Sequence, residues 1–122
     1  MEIIKKYESF HDWYLLGVVA DLDAGEVELR LMFDNRKDHA RVIFKGASRC
    51  LMNDFLIQNI IYSMDVLTDF ESDEYKRALD ALDNSYSWGR NKPRKNIAVI
   101  TATLGAELFI EFDSLAVESI AR

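Results

Sequence analysis

Chemistry has few footholds in this sequence: its 122 residues include one cysteine (Cys50), one proline (Pro93), two histidines (His11 and His39) and five glycines. A single cysteine excludes an internal disulfide framework and suits a reducing compartment. With so few soft ligands, a zinc site would have to lean on carboxylates. The glycines, at positions 17, 25, 46, 89 and 105, build no G-x-G-x-x-G and no phosphate-cradling loop, so no nucleotide fingerprint is present and no cofactor or metal is expected. The longest apolar run, residues 13–20, falls far short of the roughly 20 residues of a membrane span. Lys5 and Lys6 mimic the start of a secretory signal, but Glu8, His11 and Asp12 interrupt the apolar stretch it would need. The expectation is a cytoplasmic protein that binds neither membrane nor nucleic acid.

What the chain does have is apolar bulk and segregated charge. Hydrophobic residues make up 49%, enough for one folded domain over 1–122 without cross-links. The net charge is −6, which disfavours a phosphate backbone and favours basic partners. Residues 51–86 hold eight acids against Lys76 and Arg77, whereas residues 87–96 hold four bases and no acid.

Periodicity places these charges on elements. Ile3, Ile4, Tyr7 and Phe10 have the spacing of a short amphipathic helix. Residues 13–20 suit a central strand, and Asp23, Ala24 and Gly25 a turn. Val27, Leu29, Leu31 and Phe33 alternate with Glu26, Glu28 and Arg30 in the period of two that marks a half-buried strand. Ala40, Val42 and Phe44 repeat that pattern after the polar turn 34–38, so an antiparallel meander is expected. Residues 48–55 read as a loop or one short helical turn. Residues 59–68 read as a strand, with a helix as the alternative; the strand puts Ile60, Tyr62, Met64 and Val66 on one face and Ser63, Asp65 and Leu67 on the other. Residues 71–86 carry the best helix signal, with Tyr75, Ala78, Leu79, Leu82 and Tyr86 in one stripe, Asp73 and Glu74 in the first turn, and Thr68 and Glu71 at capping-box spacing. Strands over 97–103 and 107–112 follow, then a short strand or turn at 115–120. The fold class is α+β: a largely antiparallel sheet of about six strands with one main helix on a face.

Individual groups are better explained by structure than by catalysis. His11 and Asp12 resemble the metal-binding pair of HD-type phosphohydrolases, but the further ligands are missing and the pair fits the start of the first strand. Cys50 sits beside Arg49, yet no sequence feature brings a histidine to it, and a small buried hydrophobe is its simpler role. The loop 87–96 mixes Trp88 with Arg90, Arg94 and Lys95; it suits a protein contact, since Trp and Arg are enriched at hot spots, or a solvated connector with Trp88 folded back onto the helix. Base stacking with phosphate contacts is opposed by the acidic remainder. A carboxylate surface from Asp65, Asp69, Glu71, Asp73, Glu74 and Asp80 would steer a basic partner towards it. These six residues, with Trp88 and Arg90, are the candidate partner-binding set; no catalytic set emerges.

Three phrases carry a resemblance: Phe10-His-Asp-Trp13; Phe44-Lys-Gly46 followed by Asn53-Asp-Phe55 and Gln58-Asn-Ile-Ile61; and Thr101-Ala-Thr-Leu-Gly-Ala-Glu107. Together the pattern resembles small bacterial proteins, among them immunity proteins of polymorphic or contact-dependent toxin systems. The resemblance implies a non-enzymatic inhibitor, monomeric or weakly dimeric, that binds a cognate toxin domain, for example a nuclease with a basic groove, across an interface of about 1,600 Å². The interface candidates come from the charge pattern and not from the resemblance. A pocket protein or enzyme built between sheet and helix, with His11, His39 and Cys50 around a cleft, is one alternative; a homo-oligomeric adaptor joined by a sheet edge is another.

Overall fold

Alternating apolar residues drive most of this chain into strands. The computed structural model describes residues 1–86, 88, 89 and 91–121, with Ala121 described by its backbone alone. The strands are β1 (Tyr14–Asp21), β2 (Glu26–Met32), β3 (Asp38–Lys45), β4 (Arg49–Asn53), β5 (Ile60–Leu67), β6 (Asn96–Leu104), β7 (Glu107–Phe112) and β8 (Ser114–Ala121). They form one eight-stranded sheet, ordered β4-β7-β6-β5-β1-β2-β3-β8, in which every pair is antiparallel. The α+β class, the antiparallel sheet and the single main helix follow the sequence expectation. The strand number does not.

The two additional strands have one cause. β3 runs into β4 through Gly46, Ala47 and Ser48, and β7 runs into β8 through Asp113. β3 pairs with β8 and β4 with β7, so the two halves of one long antiparallel ribbon are bent at a shared corner. Gly46 makes the corner possible. Its φ is +64°, and a Cβ there would lie 2.1 Å from the Asp113 carboxylate. Residues 48–55, expected as loop or helical turn, are therefore mostly strand, because Cys50 and Leu51 continue the alternation of Val42 and Phe44 beyond the corner. Residues 115–120, left as strand or turn, pair with β3 along their whole length.

Because β7 leads directly into β8, the pairing circuit closes: β1, β2, β3, the β7–β8 ribbon, β6, β5 and back to β1. The result is barrel-like. Its interior holds Leu15, Leu29, Val42, Phe44, Met64, Ile100, Leu108 and Phe112, and Phe44 meets Phe112 edge-on with 4.9 Å between ring centres. The seam between β5 and β1 is the narrowest, with Tyr14 opposite Ile60 as its single register pair.

Register shifts in two strands overturn simple alternation. In β5 the register slips between Ile61 and Ser63, so Ile61 and Met64 enter the core while Tyr62 is 60% exposed. Tyr62 was expected on the face of Met64; an extra residue in the strand turns it outward. β5 shifts also between Ile60 and Ile61, and β1 between Leu15 and Gly17.

The helix α2 (Asp73–Ser85) covers the outer face of β6 and β7 with the expected stripe: Tyr75, Ala78 and Leu82 are buried, and they pack with Ile97. Its cap is not the expected Thr68–Glu71 box. Ser72 is the N-cap, its Oγ accepting from the Tyr75 amide at 3.1 Å, while Asp69 accepts from the Glu71 amide at 3.1 Å in the turn before it. At the N-terminus the expected helix is short: α1 spans Glu2–Lys5, and a 3₁₀ turn follows at Glu8–Phe10. Glu8, Ser9 and Phe10 have φ of 53–55°, at a cost on the order of 1 kcal/mol each. Phe10 is wholly buried there, stacked on Tyr7 at 4.9 Å and edge-on to Trp13 at 5.1 Å, which offsets the strain. Among the described residues, no helix is long and apolar enough to cross a membrane.

Candidate partner-binding face

The acidic candidates gather around the N-terminal end of α2. Asp69 and Glu71 stand in the preceding turn, Asp73 and Glu74 fill the first turn, and all four are exposed. The helix dipole stabilises carboxylates at that end, so this cluster is locally consistent without any partner. Asp80 lies seven residues after Asp73 and shares its side of the helix; Glu74 is turned about 100° away towards β5.

There a groove of about 380 Å³ runs between α2 and the sheet. Its floor is apolar, with Leu67, Ala78, Val99 and Phe109, and Asp65 and Glu74 line it together with Arg77. Asp65 is oriented by the Ser63 hydroxyl, which donates to it at 2.7 Å. The fold thus brings Asp65 and Glu74 into one groove and leaves Asp73 and Asp80 on a neighbouring outward face.

It does not bring Trp88 to them. Trp88 follows the opposite end of α2, 64% exposed, edge-on to Tyr86 with 5.6 Å between ring centres. Of the expected folding back onto the helix, the described residues show this ring contact with the C-cap Tyr86. Arg90 lies outside the described residues. The basic loop is also less free than its composition implies. Arg94 returns to the start of α2, where it donates to the Phe70 carbonyl at 3.0 Å and stands 3.6 Å from Glu71. Lys95 donates to the Gly46 carbonyl at 2.8 Å and stands 3.4 Å from Asp113, beside the ribbon corner.

One group of charges went unrecognised in the sequence. Arg49 is almost completely buried and bonds Glu111 at 3.1 and 2.8 Å and Asp83 at 2.7 Å; the Ser48 hydroxyl adds a bond to Glu111 at 2.6 Å. Burial alone would raise the Glu111 carboxyl, but the bonds from Arg49 and Ser48 reverse this and hold it below the ordinary carboxylate value. The bond to Glu111 likewise drives the Arg49 guanidinium further into its charged form. This network ties β4, β7 and α2 together. Asp83, part of the acidic stretch in the sequence, belongs to it. Glu111, set between Ile110 and Phe112 in the strand 107–112, was the signal that could have revealed it.

The groups with potential for chemistry stand apart. Burial pushes the Cys50 thiol up to about 11, so it is protonated at neutral pH. His11 bonds the Tyr62 carbonyl oxygen through Nδ1 at 2.7 Å and lies 3.4 Å from Asp12, at the start of the first strand as expected. His39 lines a different hollow, about 510 Å³, on the helix-free face of β1, β2 and β3, near Arg30 and Arg41. Among the described residues, no group of three or more His, Cys, Asp or Glu is placed to hold a metal ion.

A second feature unread in the sequence is the loop between β4 and β5. Phe55, Leu56 and Ile57 are exposed in succession, the last completely. No protein-family model matches the chain, and no curated protein matches it.

Proposed function

We propose that this chain is a recognition protein that binds a cognate toxin domain and neutralises it by stoichiometric contact, in the manner of bacterial immunity proteins. The observation that carries this reading is the groove beside α2. An apolar floor of Leu67, Val99 and Phe109 between the carboxylates of Asp65 and Glu74 suits a Lys or Arg side chain from a basic partner, with its methylenes on the floor and its cation at the rim. Asp73 and Asp80 extend the same negative field along the helix, which speeds encounter with a basic surface. The wide separation of His11, His39 and Cys50 also supports binding over catalysis.

The test is co-purification with the toxin domain encoded beside this gene, followed by titration of that toxin's activity. Neutralisation should be complete at equimolar inhibitor. Reversing Asp73, Glu74 and Asp80 to Lys should weaken the complex by tenfold or more and flatten its salt dependence. A neighbouring operon with no toxin-like partner, or a toxin left fully active in excess inhibitor, would end this reading.

A further inference from the structure

Phe55, Leu56 and Ile57 are 46%, 47% and 106% exposed. Three successive apolar side chains held in water are an error of folding unless something covers them. They are not held loosely. The buried Asn59 side chain accepts from the Leu56 and Ala106 amides at 2.9 and 3.0 Å and donates to the Leu56 carbonyl at 2.8 Å. Gly105 leaves room for it, since a Cβ there would come 2.3 Å from the Asn59 oxygen. Asp54, at the base of the loop, is fixed in a left-handed conformation with φ +61°. The tip is therefore preorganised, and covering it costs little ordering entropy.

Beside the tip is a recess of about 260 Å³, walled by Tyr14, Leu16, Met32 and Ile57 and bordered by Arg36, whose guanidinium lies 5.7 Å from the Tyr14 ring centre. Protrusion and recess are neighbours on one molecule, and opposite charges flank them: Asp54 at the base of the protrusion, Arg36 at the border of the recess. An isologous interface requires this, because each copy must present both what inserts and what receives.

We propose that a second copy of this chain docks here about a twofold axis, Phe55, Leu56 and Ile57 of each copy entering the recess of the other and Asp54 facing Arg36 across the interface. A membrane is a poorer occupant, since Asp54 and Glu107, opposite Asn53 in the β4–β7 pair, would face anionic lipid. The site lies at the Leu104 end of β6, whereas the start of α2 packs near the Asn96 end, so the dimer leaves the acidic face open. It does not depend on the toxin-binding reading.

The experiment is sedimentation equilibrium of the full chain from about 10 μM to about 1 mM, a span that brackets weak self-association. Wild type should form a dimer and no larger species. Ile57→Asp, at a fully exposed position that the fold does not need, should weaken the dimer at least tenfold with an unchanged circular dichroism spectrum. Arg36→Asp should weaken it too, and adding Asp54→Arg should restore it. A wild type monomeric throughout, an Ile57→Asp variant that dimerises normally, or a charge swap without rescue would overturn the proposal. So would a monomer that binds phosphatidylcholine–phosphatidylglycerol vesicles and loses that binding with Ile57→Asp, which would assign the tip to a bilayer.

Discussion

Arg49 and Glu111 face each other across the β4–β7 pair, joined by two charge-assisted bonds of 3.1 and 2.8 Å with the arginine almost wholly out of water. Both ends are bonded twice over, Arg49 also to Asp83 and Glu111 also to Ser48. Removing one partner strands the other. Arg49→Ala should destabilise the fold by about 3–5 kcal/mol in urea titrations, because a buried carboxylate is left without its cation. The double replacement Arg49→Met with Glu111→Leu should recover most of that loss. A double variant as unstable as the single would show that the ion pair itself, and not the orphaned charge, sets the cost.

The same pair governs acid stability. Glu111 titrates below its unfolded value of about 4.3, so its contribution is complete above that value and is lost as pH falls through the lower folded value. Urea midpoints measured from pH 7 to pH 3 should fall steeply in the acid limb for wild type. Glu111→Gln should start lower at pH 7 and show a shallower limb. Parallel limbs would remove Glu111 from the titration.

Cys50 works in the opposite direction. Its thiol is pushed up to about 11 by burial, against about 8.5 unfolded, so its contribution is intact below pH 8.5 and is lost as pH climbs towards 11. At pH 8 the folded thiolate fraction is smaller by roughly two orders of magnitude than in the unfolded chain. Ellman's reagent should therefore react slowly with native protein and fast in urea. Equal rates would mean an accessible, ordinary thiol.

The start of α2 gives a sharp comparison between two hydroxyls. Ser72→Ala should cost about 1 kcal/mol, because the Tyr75 amide loses its acceptor. Thr68→Ala should change stability by less than about 0.5 kcal/mol. The reverse order, read from thermal or urea melts, would restore the capping box implied by residue spacing.

That comparison also indicates which parts of the fold can be read from the chain. The α2 stripe and the meander of β1, β2 and β3 were legible because a helical period runs through α2, a period of two runs through β2 and β3, and β1 is one apolar run. The cap was not, since Ser72 and Thr68 offer the same hydroxyl and only the path of the turn distinguishes them. Tyr62 was misplaced because the register slips at its position, while Met64 and Val66 beyond it keep the face expected of them. β4 was missed because the chain turns a corner at Gly46, and the short segment beyond it is too brief to show a period of its own. Among the candidate residues, the carboxylates of α2 were legible from charge and helical phase, and Asp65 shares a groove with Glu74 because β5 neighbours β6, on which that helix packs. The separation of Trp88 from the acidic cluster, the internal pairing of Arg94 and Lys95, and the exposed tip all depend on long-range packing, which local pattern does not encode.

The bent ribbon has a kinetic consequence. Lys45 must find Ser114, and Asp38 must find Ala121, before the barrel can close. Contacts so distant along the chain make the search for the native topology slow. Until β8 docks, β3 exposes an unpaired edge that another unfinished copy can occupy. Refolding yield should therefore fall with protein concentration, through a misassembly in which one chain's β8 closes another chain's barrel.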